Sequence, residues 1–172
     1  MSIIKKLINA LIAPPIPSNP PTPPQEPRSQ SETKTKTIKH KVAGVTHYRD
    51  NILSFAVKNP QYSLSKKEMI AKDLATIYEY NFRFGKTELI PEPTNPYDPN
   101  AIKVVIDGKL VGYIKKGSCR HVLNLMEQNR IEKIEGVIKG GKYKYLDLDS
   151  EGNINLEHGN KEYSIKVLIT ER

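Results

Sequence analysis

The sequence predicts a mainly β protein with short helices, an α+β chain whose strands curl into a small β-barrel. Three observations predict it. From residue 77 to residue 170 apolar and polar residues alternate in several runs of strand length. Asp107-Gly108 stands between two of those runs, where it marks a tight hairpin. Only short helical patterns interrupt the runs, and 172 residues leave room for one ordinary domain with a tail.

Composition divides the chain. Residues 1–41 carry seven Lys/Arg, two Glu and no aromatic residue, whereas all nine Tyr and three Phe lie beyond them. Eight of the thirteen prolines fall between Pro14 and Pro27. The expected organisation is an amphipathic N-terminal helix over residues 1–13, a Pro-rich and basic disordered linker over 14–40, and a β-barrel domain over 41–172.

In the head, Ile3, Ile4, Leu7, Ile8, Leu11 and Ile12 fill one helical stripe, and Lys5, Lys6 and Asn9 take the other face. So short a helix is marginal alone in water and needs a surface: a partner protein, its own domain or a membrane interface. Prolines directly behind the short apolar run argue against a secretory signal. Pro14 to Pro27 suits neither helix nor sheet, and in polyproline II form it would span about 43 Å. Its PxxP spacings are cheap in any Pro-rich run and indicate no SH3 ligand. Ser29 to His40 alternates Lys and Thr and is expected to be disordered.

Val42 to Tyr48 reads as the entering strand, with Gly44 permitting close backbone approach. Asp50 to Lys58 has helical spacing and ends at Asn59-Pro60. Ser65-Lys66-Lys67-Glu68 matches a capping box ahead of a second short helix reaching about Leu74. Ile77 to Phe84 alternates as a strand, Gly85-Lys86 turns, and Thr87 to Ile90 continues as its partner. A loop with four prolines, Pro91 to Asn100, precedes the strand Ala101 to Ile106. After Asp107-Gly108 the strand Leu110 to Ile114 returns. Ser118 is placed to cap a helix from Cys119 to about Gln128, with Val122, Leu125 and Met126 inward. Ile131 to Ile138 is a strand, Gly140-Gly141 turns, Tyr143 to Leu148 returns, and Glu162 to Thr170 closes the chain.

Several functions fall away. A single cysteine allows no disulfide framework and speaks against a Cys-based zinc site. There is no run of about 18 apolar residues, no P-loop and no GxGxxG. The net charge of +8 and pI near 9.4 draw the chain toward polyanions, nucleic acid first and anionic lipid second.

The densest chemical signal is Glu92-Pro93-Thr94-Asn95-Pro96-Tyr97-Asp98-Pro99-Asn100, followed by Gly112-Tyr113-Ile114-Lys115-Lys116. Prolines restrict the loop, so its side chains need little ordering on binding. Tyr97 and Asp98 together can stack a base and accept a hydrogen bond from a sugar hydroxyl. Equally, Tyr97 can pack on the barrel rim while Asp98 and Asn100 cap loop amides. Lys115, Lys116, Arg120 and His121 flank a helix start, where cations and free amides suit phosphate, or form a solvated basic turn. Asp147 to Asn155 begins like a calcium loop but lacks the Glu at position twelve, so it reads as a hairpin turn. Cys119 has no base-and-orienter set beside it, and no carboxylate spacing supports a metal-dependent nuclease.

The residues Val42-Ala43-Gly44-Val45, the run Glu92 to Val104, Gly112-Tyr113-Ile114 and Ile134-Glu135-Gly136-Val137 strongly resemble the HIRAN domain. The match covers roughly Lys41 to Ile138. The strands after it look like those of stand-alone bacterial members, and the head and spacer have no counterpart. The resemblance implies a small OB-like β-barrel that binds DNA and, in eukaryotic members beside an ATPase and a RING, grips a single-stranded 3′ end. On that pattern Tyr97 stacks the terminal base, Asp98 accepts from the 3′-hydroxyl, and Lys116 contacts phosphate. Tyr113 stands at a His-like position. Where DNA-binding members carry Arg-Tyr, this chain has Thr46-His47 followed by Tyr48, and the insert from Arg49 to Glu79 is longer.

The combined expectation is a non-enzymatic DNA-binding module for single-stranded DNA ends in repair or processing. Its DNA-binding residues are His47, Tyr48, Asn95, Tyr97, Asp98, Asn100, Tyr113, Lys115, Lys116 and Arg120. No metal or cofactor is expected, and the head helix tethers the module to a partner protein or membrane surface. The alternatives are a protein-interaction adaptor and, more remotely, a metal-dependent nuclease. Cysteine usage and the lack of a signal favour the cytoplasm, with peripheral membrane attachment through the head.

Overall fold

Nine strands and three short helices order themselves around one sheet in a computed structural model that describes residues 35–172. The strands are β1 (Lys36–Ala43), β2 (Ala56–Lys58), β3 (Thr76–Tyr78), β4 (Tyr80–Phe82), β5 (Thr87–Pro91), β6 (Ile102–Ile106), β7 (Lys109–Ile114), β8 (Ile131–Leu148) and β9 (Ile154–Glu171). The helices are α1 (Arg49–Leu53), α2 (Lys66–Ala71) and α3 (Lys116–Glu127), with 3-10 turns at Val45–Tyr48 and Pro60–Ser63. The expected head helix and most of the expected linker lie outside the described residues.

Seven strands form one sheet in the order β3-β8-β9-β1-β7-β6-β5, and β2 pairs with β4 in a separate two-stranded ribbon. The large sheet curls into a half-barrel. Gly136 N–H of β8 donates to Thr87 Oγ1 of β5 at 3.0 Å, drawing the curled ends together. A Cβ at Gly136 would lie 2.8 Å from that oxygen, so only glycine permits the approach. The core fills the concave side. Ile102, Val104 and Ile106 of β6 meet Val111 and Ile114 of β7 and Ile165, Val167 and Ile169 of β9. Val122 and Leu125 of α3 close it, one turn apart on the helix. The fold is therefore mainly β with short helices, as the alternating runs predict.

Several local expectations hold. Ser65 and Glu68 form the reciprocal capping box at α2. Asp107 and Gly108 both take positive φ, 44° and 76°, as a two-residue hairpin requires. The Asp107 carboxylate also accepts the amides of Gly85 and Lys86, which holds its pKa below the usual value.

Others are corrected. Residues 36–40, expected in the disordered linker, lie in β1, which is central and pairs with both β9 and β7. Ile38, His40 and Val42 give this strand a period of two, and the neighbouring ladders order it despite its polarity. The expected strand Val42–Tyr48 stops at Ala43, because Gly44 adopts φ 74° and starts a 3-10 turn. The helix expected over Asp50–Lys58 is α1 alone, and its latter part is β2.

Ile77–Phe84 is not one strand. It breaks at Glu79 into β3 and β4, which belong to different sheets. Thr87–Ile90 consequently pairs with β6 rather than with that run. Ser118 is not the helix cap. Lys115 is, and no side chain caps it. Gly140-Gly141 is a bulge inside the continuous 18-residue β8, not a turn. Gly140 takes φ 126°, and a Cβ there would lie 2.4 Å from Glu162 O, so the bulge depends on glycine. The Asp147–Asn155 segment is the hairpin between β8 and β9, with Asp149 Oδ1 accepting the amides of Glu151 and Asn153.

Candidate nucleic-acid interface

The proline-rich loop between β5 and β6 is ordered by its own short side chains. Glu92 N–H bonds Ala101 O at 2.8 Å, and Ala101 N–H bonds Asp98 O at 2.9 Å, which closes the loop base. Within it, Asn95 Oδ1 accepts the amides of Tyr97 and Asp98 at 3.0 and 3.1 Å. Asp98 Oδ1 accepts the amide of Asn100 at 2.9 Å. These are the side-chain-to-backbone bonds that Asn and Asp make readily in turns. They leave Asp98 Oδ2 without a hydrogen-bond partner among the described residues. Tyr97 projects from the loop with 90% of its surface exposed. It does not pack on the barrel rim, so a large ring stands in water beside a carboxylate.

An open cleft of about 630 Å³ lies between this loop, the end of β1, β7 and the start of α3. Tyr48, Asn95, Tyr97, Asp98, Tyr113 and Lys116 line it, six of the ten residues expected at the site. Asn95 reaches the cleft with its amide already committed to the loop: Nδ2 donates to Glu92 Oε2 at 2.7 Å. The other four stand outside it. Asn100 is engaged through its backbone with Asp98. His47 is exposed on the 3-10 turn. Lys115 and Arg120 are exposed around the start of α3, beside Lys116.

Glu92 is the residue that sequence reading missed. Its Oε1 pairs with Lys103 Nζ at 2.5 Å, and its Oε2 accepts both Asn95 Nδ2 and the Tyr113 hydroxyl, the latter at 3.2 Å. Lys103 foremost, then Asn95 and Tyr113, hold the Glu92 carboxyl below the usual range. The signal was available. A carboxylate opens the proline loop, and a lysine stands just inside the strand that leaves it. Burial first, then Glu92 and the Tyr48 hydroxyl, push the Tyr113 phenol up to about 12, so it stays a donor at neutral pH. Beneath the cleft Cys119 is 2% exposed, and its Sγ donates to Ile114 O at 3.3 Å. Burial and the nearby Asp98 push its thiol pKa up, which is the opposite of activation.

The electrostatics are split. Exposed cations surround the start of α3, while Asp98 and Glu92 face the cleft. Such a cleft can take a group that donates a hydrogen bond to Asp98 while a neighbouring anion meets Lys116. Among the described residues no three His, Cys, Asp or Glu side chains converge in a way that could hold a metal ion.

Over 51 residues, 29% of this chain, the sequence is 47% identical to the helicase-like transcription factor of Oryctolagus cuniculus. It is 45% identical over 51 residues to that of Mus musculus. The matched segment is only 5% of either protein. The crystal structure of the HIRAN domain of human HLTF aligns with a TM-score of 0.37 at 17% identity, covering 78% of this chain and 74% of that one. The HIRAN domain is by itself a DNA-binding rather than a catalytic module, which supports nucleic-acid binding here. Its family model matches residues 71–157, just over half of the sequence and inclusive of the whole proline-rich loop, and this chain belongs to the HIRAN domain family.

Proposed function

We propose that this protein is a non-enzymatic module that captures the 3′ end of single-stranded DNA, in the service of DNA repair or processing. The observation that carries the proposal is the pairing of a fully presented Tyr97 ring with a free Asp98 oxygen over one cleft. The ring stacks the terminal base. Asp98 Oδ2 accepts the hydrogen bond of the terminal 3′-hydroxyl, an end that an internal nucleotide does not offer. Lys116 meets the adjoining phosphate, and Lys115 and Arg120 hold the phosphates that follow. Tyr48 and Tyr113 form the wall against which the sugar and base rest.

The loop supports this role because it is already set. Asn95, Asp98 and Glu92 fix its backbone before any ligand arrives, so little ordering entropy is lost on binding. The substitutions Tyr97→Ala and Asp98→Ala test the reading. Tyr97→Ala should weaken binding of a short single strand about 5- to 150-fold, since stacking contributes about 1–3 kcal/mol per base, and Asp98→Ala about tenfold or more through the lost hydrogen bond to a charged acceptor. Affinities unchanged in both variants would reject the site.

A further inference from the structure

A second cleft, of about 570 Å³, lies on the other side of the 3-10 turn Val45–Tyr48. Arg49, Lys142 and Lys161 line it, all three exposed and none in an ion pair among the described residues. Rings are interleaved with these cations. The Arg49 guanidinium lies 5.9 Å from the centre of the Tyr163 ring, and Lys161 Nζ lies 5.2 Å from that of Tyr143. Tyr163 and Tyr80 line the cleft, whereas Tyr143 stands outside it. Glu79 and Glu162 also line the cleft, which leaves a formal balance of one positive charge and limits its pull on phosphate.

The two clefts share a wall. Val45 and Thr46 face the second and Tyr48 the first, across a turn that advances only ~6 Å over three residues at ~2 Å each. His47 is exposed on the turn and belongs to neither cleft. The β8 bulge and the break between β3 and β4 form the far side. Glu79 N–H donates to Lys142 O at 2.8 Å and pins the break against the bulge.

We propose that this second cleft carries the DNA strand on the 5′ side of the captured end. His47 is the crest over which the strand passes, and Arg49, Lys142 and Lys161 meet its phosphates while Tyr80 and Tyr163 face its bases. Cations interleaved with aromatic rings are how single-stranded nucleic acid is held without base readout. The proposal rests on the end-binding reading of the first cleft and extends it to a longer site.

The test compares 5′-labelled dT3 and dT10, both with a free 3′-hydroxyl, by fluorescence anisotropy over a salt series. The full chain should bind dT10 about tenfold more tightly than dT3. The double variant Lys142→Glu/Lys161→Glu should remove most of that difference, flatten the dT10 salt slope by about 0.7 per lost contact, and leave dT3 binding unchanged. Both lysines are exposed on strands, and Lys142→Gln/Lys161→Gln gives the same test without charge reversal. Asp98→Ala should weaken both lengths. Equal affinities for dT3 and dT10, or a double variant that binds dT10 normally, would overturn the proposal while Asp98→Ala still acts. Indifference of both oligonucleotides to Asp98→Ala would instead reject the end-binding reading.

Discussion

The Tyr113 hydroxyl on β7 donates to Glu92 Oε2 at 3.2 Å, and the same oxygen accepts Asn95 Nδ2 at 2.7 Å. One carboxylate therefore ties the sheet to the loop that carries Tyr97 and Asp98. Asn95 passes the constraint on, since its Oδ1 holds both of their amides.

Glu92→Ala should lower affinity for single-stranded DNA about tenfold by raising the ordering cost of the loop. The diagnostic readout is hydrogen exchange. The Tyr97 and Asp98 amides should exchange faster in the free variant, while amides in the β8–β9 ladder keep their protection. Unchanged exchange in the loop would show that the proline residues alone order it.

Acid should weaken the fold in two stages. Burial, then the neighbouring His121, lower the pKa of His40 from 6.5, so below that pH the unfolded chain takes up a proton that the folded chain resists. Stability present above pH 6.5 is lost as pH falls toward the folded value. Glu92, Asp107 and Asp149 are also held low by their hydrogen bonds, Glu92 by Lys103 first and the two aspartates by backbone amides first. Their contributions are present above pH 4.5 for Glu92 and 3.8 for the aspartates, and fade as pH falls through the folded values. The melting temperature should decline gently from about pH 6.5 and more steeply below about pH 4.5. His40→Gln should remove the first decline and leave the second.

Gly112→Ala should be strongly destabilising. Gly112 has φ 144°, and a Cβ there would stand 2.5 Å from Ala43 O and 2.6 Å from Val42 Cγ1. The clash falls where β1 and β7 meet beside the first cleft. A loss of about 2–4 kcal/mol is expected, read as a fall in melting temperature. Gly108→Ala, at a turn with open space around it, should cost less, and only through its positive φ of 76°.

Cys119 should be inert in the native protein. With its thiol buried and its pKa raised, alkylation at pH 7.5 should run at least ~100-fold slower than for a free thiol and become fast only in denaturant. Rapid native alkylation would contradict the packing of α3 over β7.

The elements legible from sequence were those fixed by local chemistry. The Ser65–Glu68 capping box, the Asp107-Gly108 hairpin and the strands around it depend on residues near one another in the chain. Pairing over long distances was not legible. The expected pairing of Thr87–Ile90 with the run before it fails, because alternation marks a strand without naming its neighbour. Gly140-Gly141 looks the same as a turn or as a bulge until β9 lies beside it. At the site, the motif Asn95 to Asn100 was plain because its residue types are chemically pointed. Glu92 was not, since its role arises only when Lys103, Asn95 and Tyr113 converge on it. The second cleft joins residues from 45 to 163 and leaves no mark in any window of sequence.

The most direct test of the central claim is a fluorescence anisotropy titration with one short single strand ending in either a 3′-hydroxyl or a 3′-phosphate. If Asp98 accepts the terminal hydroxyl, the 3′-hydroxyl strand should bind at least about tenfold more tightly, and Asp98→Ala should erase the preference. Equal affinity for both ends would contradict end capture at Tyr97 and Asp98.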